Sequence, residues 1–188
     1  MMRIITGTAR GTKLTTPEGE TTRPTAERTK QAIFNILQFE LTGRRALDLF
    51  AGSGQLGLEA LSRGAAYAVF SDSSQEACRA IRANIAKTHM EDRSRLICGE
   101  YQSAIRTLRG GEPFDLIFLD PPYASGLLPR SLEQLMRAGL VAENAYIVCE
   151  SDDKSPFQAA GLTVFRFAGY GKNVITILKK DPSANNDA

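Results

Sequence analysis

From residue 44 onward the chain alternates two hydrophobic patterns. Short apolar runs at 46–50, 66–70, 94–98, 115–119 and 145–150 predict strands. Between them, apolar positions at helical spacing predict helices near 55–63, 75–88, 101–109 and 127–138. In "QEACRAIRANI", Ala77, Ile81 and Ile85 recur every four residues, which puts one apolar stripe against a sheet. Strand–helix alternation of this kind predicts a parallel sheet covered on both faces.

Both ends of the chain break the pattern. "LTVFRFAGYGKNVITILKK" holds two β-rich runs with no room for a crossover helix, so they predict an antiparallel hairpin. Residues 2–16 mix β-branched residues with Gly7 and Gly11 and predict a short β-ribbon. "PEGETTRP" is a loop, and Thr25 is placed to cap a helix over "AERTKQAIFNILQ", where Ile33, Ile36 and Leu37 share one face. The expected division is an extension at 1–43, an α/β domain at 44–180 and a frayed polar tail at 181–188. No internal repeat is visible.

Composition adds bounds. A chain of 188 residues with 43% hydrophobic and 23% charged residues reads as one globular domain with a small extension. No apolar run approaches the roughly 20 residues of a membrane span. The first residues lack a signal peptide's apolar stretch, so a cytoplasmic protein is expected. Cys78, Cys98 and Cys149 form no C-x-x-C pair; they read as small buried hydrophobes, with neither disulfide nor metal site expected. The single histidine, His89, follows a helical pattern in a predicted turn, which disfavours Ser-His-Asp or Cys-His chemistry.

The net charge of +2 is unevenly spread. Residues 1–45 carry eight basic and four acidic side chains, and the remainder 15 basic and 17 acidic. A basic arm on a near-neutral body points to a polyanionic partner.

Candidate chemistry begins at "LDLFAGSGQLG". Gly52, Gly54 and Gly57 follow the first strand in G-x-G-x-x-G spacing, which lets the backbone turn sharply and approach a ligand closely. The alternatives are a ligand-free turn, a dinucleotide site and an S-adenosylmethionine site. Asp48, four residues before the first glycine, suits an ammonium and a sulfonium and would repel a pyrophosphate. Asp72 ends the second strand and can accept both hydroxyls of a ribose, a feature shared with NAD enzymes. Glu100 ends the third strand and can accept from an adenine amine. All three fall at the carboxyl ends of strands, where open α/β sheets bind ligands.

"LDPPY" closes the fourth strand on the same rim. Pro121 and Pro122 fix the backbone and remove two donors, leaving carbonyls beside the Asp120 carboxylate. Such an acceptor cluster suits an exocyclic amine whose lone pair is delocalised into a nucleobase. Asp120 and the Pro121 carbonyl would hold its two N–H groups and favour pyramidal nitrogen, and Tyr123 would offer a face for an extruded base. The simpler reading is a Pro-Pro turn that only ends a strand.

"DLFAGSGQLGLEALSRGA" with "DPPY" resembles the class I S-adenosylmethionine-dependent methyltransferases that act on amino nitrogens, and "RIITGTARGTKL…RPTAERTKQAIFN" is similar to the RsmD family. The resemblance spans roughly residues 2–180. It implies a Rossmann-like sheet of seven strands, mostly parallel with an antiparallel last strand, and transfer to N2 of a guanine in bacterial 16S rRNA, commonly labelled guanine 966. It implies that Asp48 and the Gly52–Gly57 loop hold the methionine part of the cofactor, Asp72 the ribose, Glu100 the adenine and Asp120–Tyr123 the guanine. Phe50, Ser53, Gly54 and Tyr101 complete the expected cofactor-binding set. Arg3, Arg10, Lys13, Arg23 and Arg28 are the residues expected to meet 16S rRNA, the expected partner being a small-subunit assembly intermediate.

The chain departs from the family pattern at Asp72 and Glu27, where that pattern has Glu and Asp, and at Glu100 and Gln31, where it has Asp or Asn and Glu. An adenine-N6 methyltransferase shares D-P-P-Y, an NAD-dependent oxidoreductase shares the glycine loop, and an RNA-binding module without catalysis would share the fold.

Overall fold

The computed structural model describes residues 2–17, 24–122, 126–171 and 173–180. Seven strands form one sheet in the order β3-β2-β1-β4-β5-β7-β6. They are β1 Arg45–Asp48, β2 Tyr67–Asp72, β3 Ser94–Cys98, β4 Phe114–Leu119, β5 Val141–Ser151, β6 Thr163–Tyr170 and β7 Asn173–Lys179. β1 pairs in parallel with β2 and β4, β2 with β3, and β4 with β5. β7 runs antiparallel between β5 and β6, as the terminal hairpin predicted. The expected seven-stranded sheet with its antiparallel last strand is what the chain forms.

Period-two alternation divides the core. Ala46, Leu116, Phe118, Val148 and Ile175 face one side, where α1 (Pro24–Ile36), α2 (Gln55–Ser62) and α3 (Gln75–Thr88) pack. Leu47, Ile117, Leu119 and Cys149 face the other, under α4 (Tyr101–Leu108) and α5 (Leu127–Arg137). The strand order reverses between β1 and β4, and that switch point opens a crevice beyond the strands' carboxyl ends.

The N-terminal ribbon is shorter than the pattern suggested. It has one bridge, Arg3 to Lys13, with Ile4 N donating to Thr12 O at 3.0 Å and Leu14 N to Met2 O at 2.9 Å. Met2, Ile4 and Leu14 are buried in the same cluster as the sheet's α1–α3 face. Gly7 makes this possible: with φ of 88°, it lies so close to α2 that an added Cβ would sit 1.8 Å from the Ser62 carbonyl oxygen.

Three expectations are corrected. α1 begins at Pro24, the favoured first position of a helix, so Thr25 lies inside the first turn and not at the cap. Cys78 and Cys98 form a disulfide, with Cα atoms 6.1 Å apart; α3 packs over the β2–β3 edge and brings together residues 20 apart in sequence. Cys149 alone fits the reading of a buried free cysteine. Lys30, counted with the basic arm, is 1% exposed and belongs to the core. Among the described residues no helix is long and apolar enough to cross a membrane. The expected tail at 181–188 lies outside the described residues.

Candidate active site

A cleft of about 400 Å³ opens at the switch point, within the range of small-molecule sites. The strand ends line it with four carboxylates: Asp48, Asp72, Asp120 and Glu150. Register explains how they converge. Asp48 pairs in the sheet with Phe70 and Phe118, so Asp72 and Asp120, two residues further along, lie one same-face row above it. Leu119 pairs with Cys149, which sets Asp120 and Glu150 side by side on that upper row.

Asp48 is the floor. Its side chain is 2% exposed and its Oδ2 accepts the Gly57 N–H at 3.0 Å, tying the glycine loop to β1. Burial lifts its carboxyl from an ordinary 3.8 to about 7, with the Gly57 hydrogen bond opposing the rise and Asp72 adding to it. The loop above is tight. Gly52 and Gly54 have φ of 53° and 76°, and Gly54 is the cap residue just before α2. A Cβ on Gly57 would lie 2.4 Å from Phe70 Cε1, so this position lets α2 sit directly on β2.

Asp72 braces the other side of the loop. Oδ2 accepts the Gly52 N–H at 2.8 Å and Oδ1 the Ser74 N–H at 2.9 Å. Each oxygen keeps a second lone pair for a ligand hydroxyl. Glu100 precedes α4 at its cap position, but its side chain makes no cap hydrogen bond; it is exposed and lines the cleft. Phe50 and Tyr101 form a tilted aromatic pair, ring centroids 5.6 Å apart, on the same wall. Ser53 lines the cleft while its carbonyl accepts from Asn84 Nδ2 at 2.8 Å. The structure thus brings every described residue of the expected cofactor set to one crevice or, for Gly54 and Gly57, to the cap and first turn of α2 behind it.

Asp120, Pro121 and Pro122 reach the same cleft from β4. Tyr123 lies outside the described residues. Beyond the two prolines a second hollow of about 330 Å³ adjoins, lined by Pro121, Pro122, Leu127, Glu150 and Phe157 among others. Pro121, Pro122, Leu127 and Glu150 line both spaces. Glu150 was missed in the sequence, although the rule that found Asp72, an acid closing an apolar run, applies equally to "IVCES".

Of the expected arm residues, Arg3, Arg10, Lys13 and Arg28 are exposed, and Arg23 lies outside the described residues. Arg3 and Arg10 line a groove shared with Glu27 and Gln31 of α1. The arm is fastened by groups that no motif announced. Glu59, fully buried in α2, accepts from Ile5 N at 2.8 Å, Thr6 N at 3.0 Å and Arg63 Nε at 2.8 Å, with Lys30 Nζ at 3.7 Å. Lys30 Nζ donates to Arg3 O at 2.7 Å. Asn84 of α3 accepts from Thr15 N at 2.7 Å and donates to Thr15 O at 2.8 Å. An acid in the middle of the apolar "LGLEALS" run was the available signal for Glu59.

The family model described as Conserved hypothetical protein 95 matches residues 2–179. Ribosomal RNA small subunit methyltransferase D of Escherichia coli K12 is 32% identical over 189 residues, taking in 100% of this chain and 94% of that protein. The Bacillus subtilis protein YlbH is 34% identical over 182 residues, 95% of this chain and 99% of that one. The solved structure of yhhF from Escherichia coli matches with a TM-score of 0.85 at 32% identity, covering 96% of this chain and 98% of that chain.

Proposed function

The chain belongs to the RsmD family, whose model is described as Conserved hypothetical protein 95, and from that premise we propose that it is an rRNA methyltransferase that uses S-adenosylmethionine to methylate N2 of a guanine in 16S rRNA, guanine 966 by the family resemblance. The observation that carries this reading is the convergence of Asp48, Asp72 and Asp120 on one cleft. Three carboxylates there fit a ligand bearing an ammonium and a sulfonium, and they oppose a pyrophosphate, which disfavours a dinucleotide.

S-adenosylmethionine would supply a methyl group on a positively charged sulfur, which leaves as a neutral thioether when the N2–C bond forms. Asp48 and the glycine loop would hold the amino-acid end, Asp72 the ribose, and Glu100 with the Phe50–Tyr101 wall the adenine. Asp120 and the Pro121 carbonyl would accept both N–H groups of the base amine and turn its lone pair toward the methyl carbon. Positive charge grows on that nitrogen as the bond forms, so Asp120 stabilises the transition state more than the ground state. The proton then shed by nitrogen passes to Asp120 or to solvent. The amine reading depends on the donor-free Pro121–Pro122 edge, which gives an NADH site nothing to do.

Asp120→Ala separates binding from chemistry. The variant is expected to bind S-adenosylhomocysteine within about threefold of wild type and to lose at least about a hundredfold in methyl transfer, the scale seen when one preorganised electrostatic group is removed. Calorimetry and tritiated-methyl transfer to rRNA measure the two. An Asp120→Ala enzyme with full activity removes Asp120 from the mechanism, and NADH binding in place of the nucleoside overturns the cofactor.

A further inference from the structure

We propose that Glu150 selects guanine over adenine by reading the purine's Watson–Crick edge, an inference that rests on the guanine reading above. Glu150 lies on β5 beside Asp120, since Leu119 pairs with Cys149 in parallel register. Adjacent strands are about 4.8 Å apart, so the two carboxylates form one acceptor row at the mouth of the cleft. Alternation places both on the α1–α3 face: Phe118 and Val148, two residues before them, are in that core cluster.

Glu150 lines both the cofactor-sized cleft and the adjoining hollow beyond Pro121 and Pro122, so it stands between the two spaces that a cofactor and a base would occupy. Its carboxylate is held in place: Asn173 Nδ2, at the start of β7, donates to Oε1. A carboxylate accepts and does not donate. Guanine presents two adjacent donors on this edge, N1–H and the N2 amine. With Asp120 on the amine, Glu150 meets N1–H. Adenine presents a lone pair at N1, which a carboxylate repels, and a site built around a donor rejects the analogue that lacks it. Asn173 is the positioning residue for this contact.

The test compares small subunits reconstituted with 16S rRNA carrying either guanine or 2-aminopurine at the mapped methylation site. 2-Aminopurine keeps the N2 amine but has a lone pair at N1. Wild type is expected to prefer guanine by at least about a hundredfold in kcat/KM. Glu150→Gln can accept from guanine N1–H or donate to 2-aminopurine N1, so it is expected to shrink that preference at least tenfold, with an unchanged Kd for S-adenosylhomocysteine. Intrinsic reactivity of the two amines cancels when the enzymes are compared.

Asn173→Ala is expected to shrink the preference in the same direction by a smaller factor. A preference that stays at its wild-type value in Glu150→Gln overturns the role of Glu150 while leaving the guanine reading intact. Loss of S-adenosylhomocysteine binding in that variant assigns Glu150 to the fold and overturns the role as well. A wild-type chain that transfers no methyl to rRNA guanine overturns the guanine reading, and this inference with it.

Discussion

At the scale of single residues, Asp48 shows how one side chain can couple the fold to the ligand. It is buried, its carboxylate accepts among the described residues one hydrogen bond, from the Gly57 N–H, and desolvation lifts its carboxyl to about 7. The sign of the consequence follows from linkage. The unfolded chain releases this proton near 3.8 and the folded chain holds it to about 7. Asp48 therefore costs stability increasingly as pH rises through that window, and the cost levels off above it. A cationic ligand placed beside the carboxylate lowers its pKa, so binding expels the proton. S-adenosylmethionine affinity is then expected to rise by up to about tenfold per pH unit between 5.5 and 7 and to flatten above. Asp48→Asn keeps an acceptor for Gly57 and should bind more weakly with no such pH dependence. Calorimetry from pH 5.5 to 8.5 checks both, and a wild-type affinity that is flat across the window would detach Asp48 from the cation.

Among the elements, the N-terminal ribbon is fixed by charge where the sheet is fixed by apolar packing. Removing one member of a buried ion pair leaves the other desolvated and unpaired, at a cost of roughly 3–5 kcal/mol. Glu59→Ala exposes that penalty fully, because Arg63 and the Ile5 and Thr6 N–H groups lose their acceptor and Lys30 loses its counter-charge. Lys30→Met keeps the stem's volume and leaves Glu59 with three donors, so it is expected to cost less than half as much. Burial already pulls the Lys30 ammonium below its ordinary pKa, which reduces what its charge contributes. Urea unfolding measures the difference, and equal losses in the two variants would contradict it. These elements also mark where the sequence was legible. The α3 stripe and β3 were readable to the residue, because each carries a clean period between turn signals. β1 ends at Asp48, two residues before the expected limit, because the chain must turn there for Ala51 N to reach Ser71 O at 2.9 Å. β5 starts at Val141, four residues early, across polar "AEN" and an Asn144 with φ of 60°, a geometry that no periodicity encodes. Asp48, Asp72 and Asp120 were visible because strand ends are, and Glu150, which closes β5 in the same way, was missed. The pairings of Glu59, of Asn84 and of Cys78 with Cys98 were not legible, because they are set by how helices settle on the sheet.

Taken as a whole, the molecule carries little net charge, so any hold on a polyanion depends on where its charges stand. The surplus in residues 1–45 overstates what can reach RNA. Lys30 is buried; Arg44 pairs with Glu40 at 2.9 Å and donates to Asp115 O at 3.1 Å; Arg45 pairs with Glu112 at 3.1 Å and lies 5.2 Å from the Tyr67 ring centroid. Arg3, Arg10, Lys13 and Arg28 remain exposed on the ribbon and α1. Because Glu59 and Asn84 tie the ribbon to α2 and α3, these cations are presented by a fixed element and need little ordering on binding. Each phosphate contact releases counterions and adds about 0.7–0.9 to the slope of log affinity against log salt. Replacing Arg3, Arg10, Lys13 and Arg28 together by alanine is thus expected to flatten that slope by up to about 3.6 and to leave S-adenosylhomocysteine binding unchanged. Lys30→Met, which removes a charge the solvent does not see, should leave the slope where it was. RNA titrations between 50 and 300 mM salt distinguish the two variants. An unchanged slope in the fourfold variant would confine the arm to a structural role, and a flattened slope in Lys30→Met would mean that total charge, not its placement, governs the encounter.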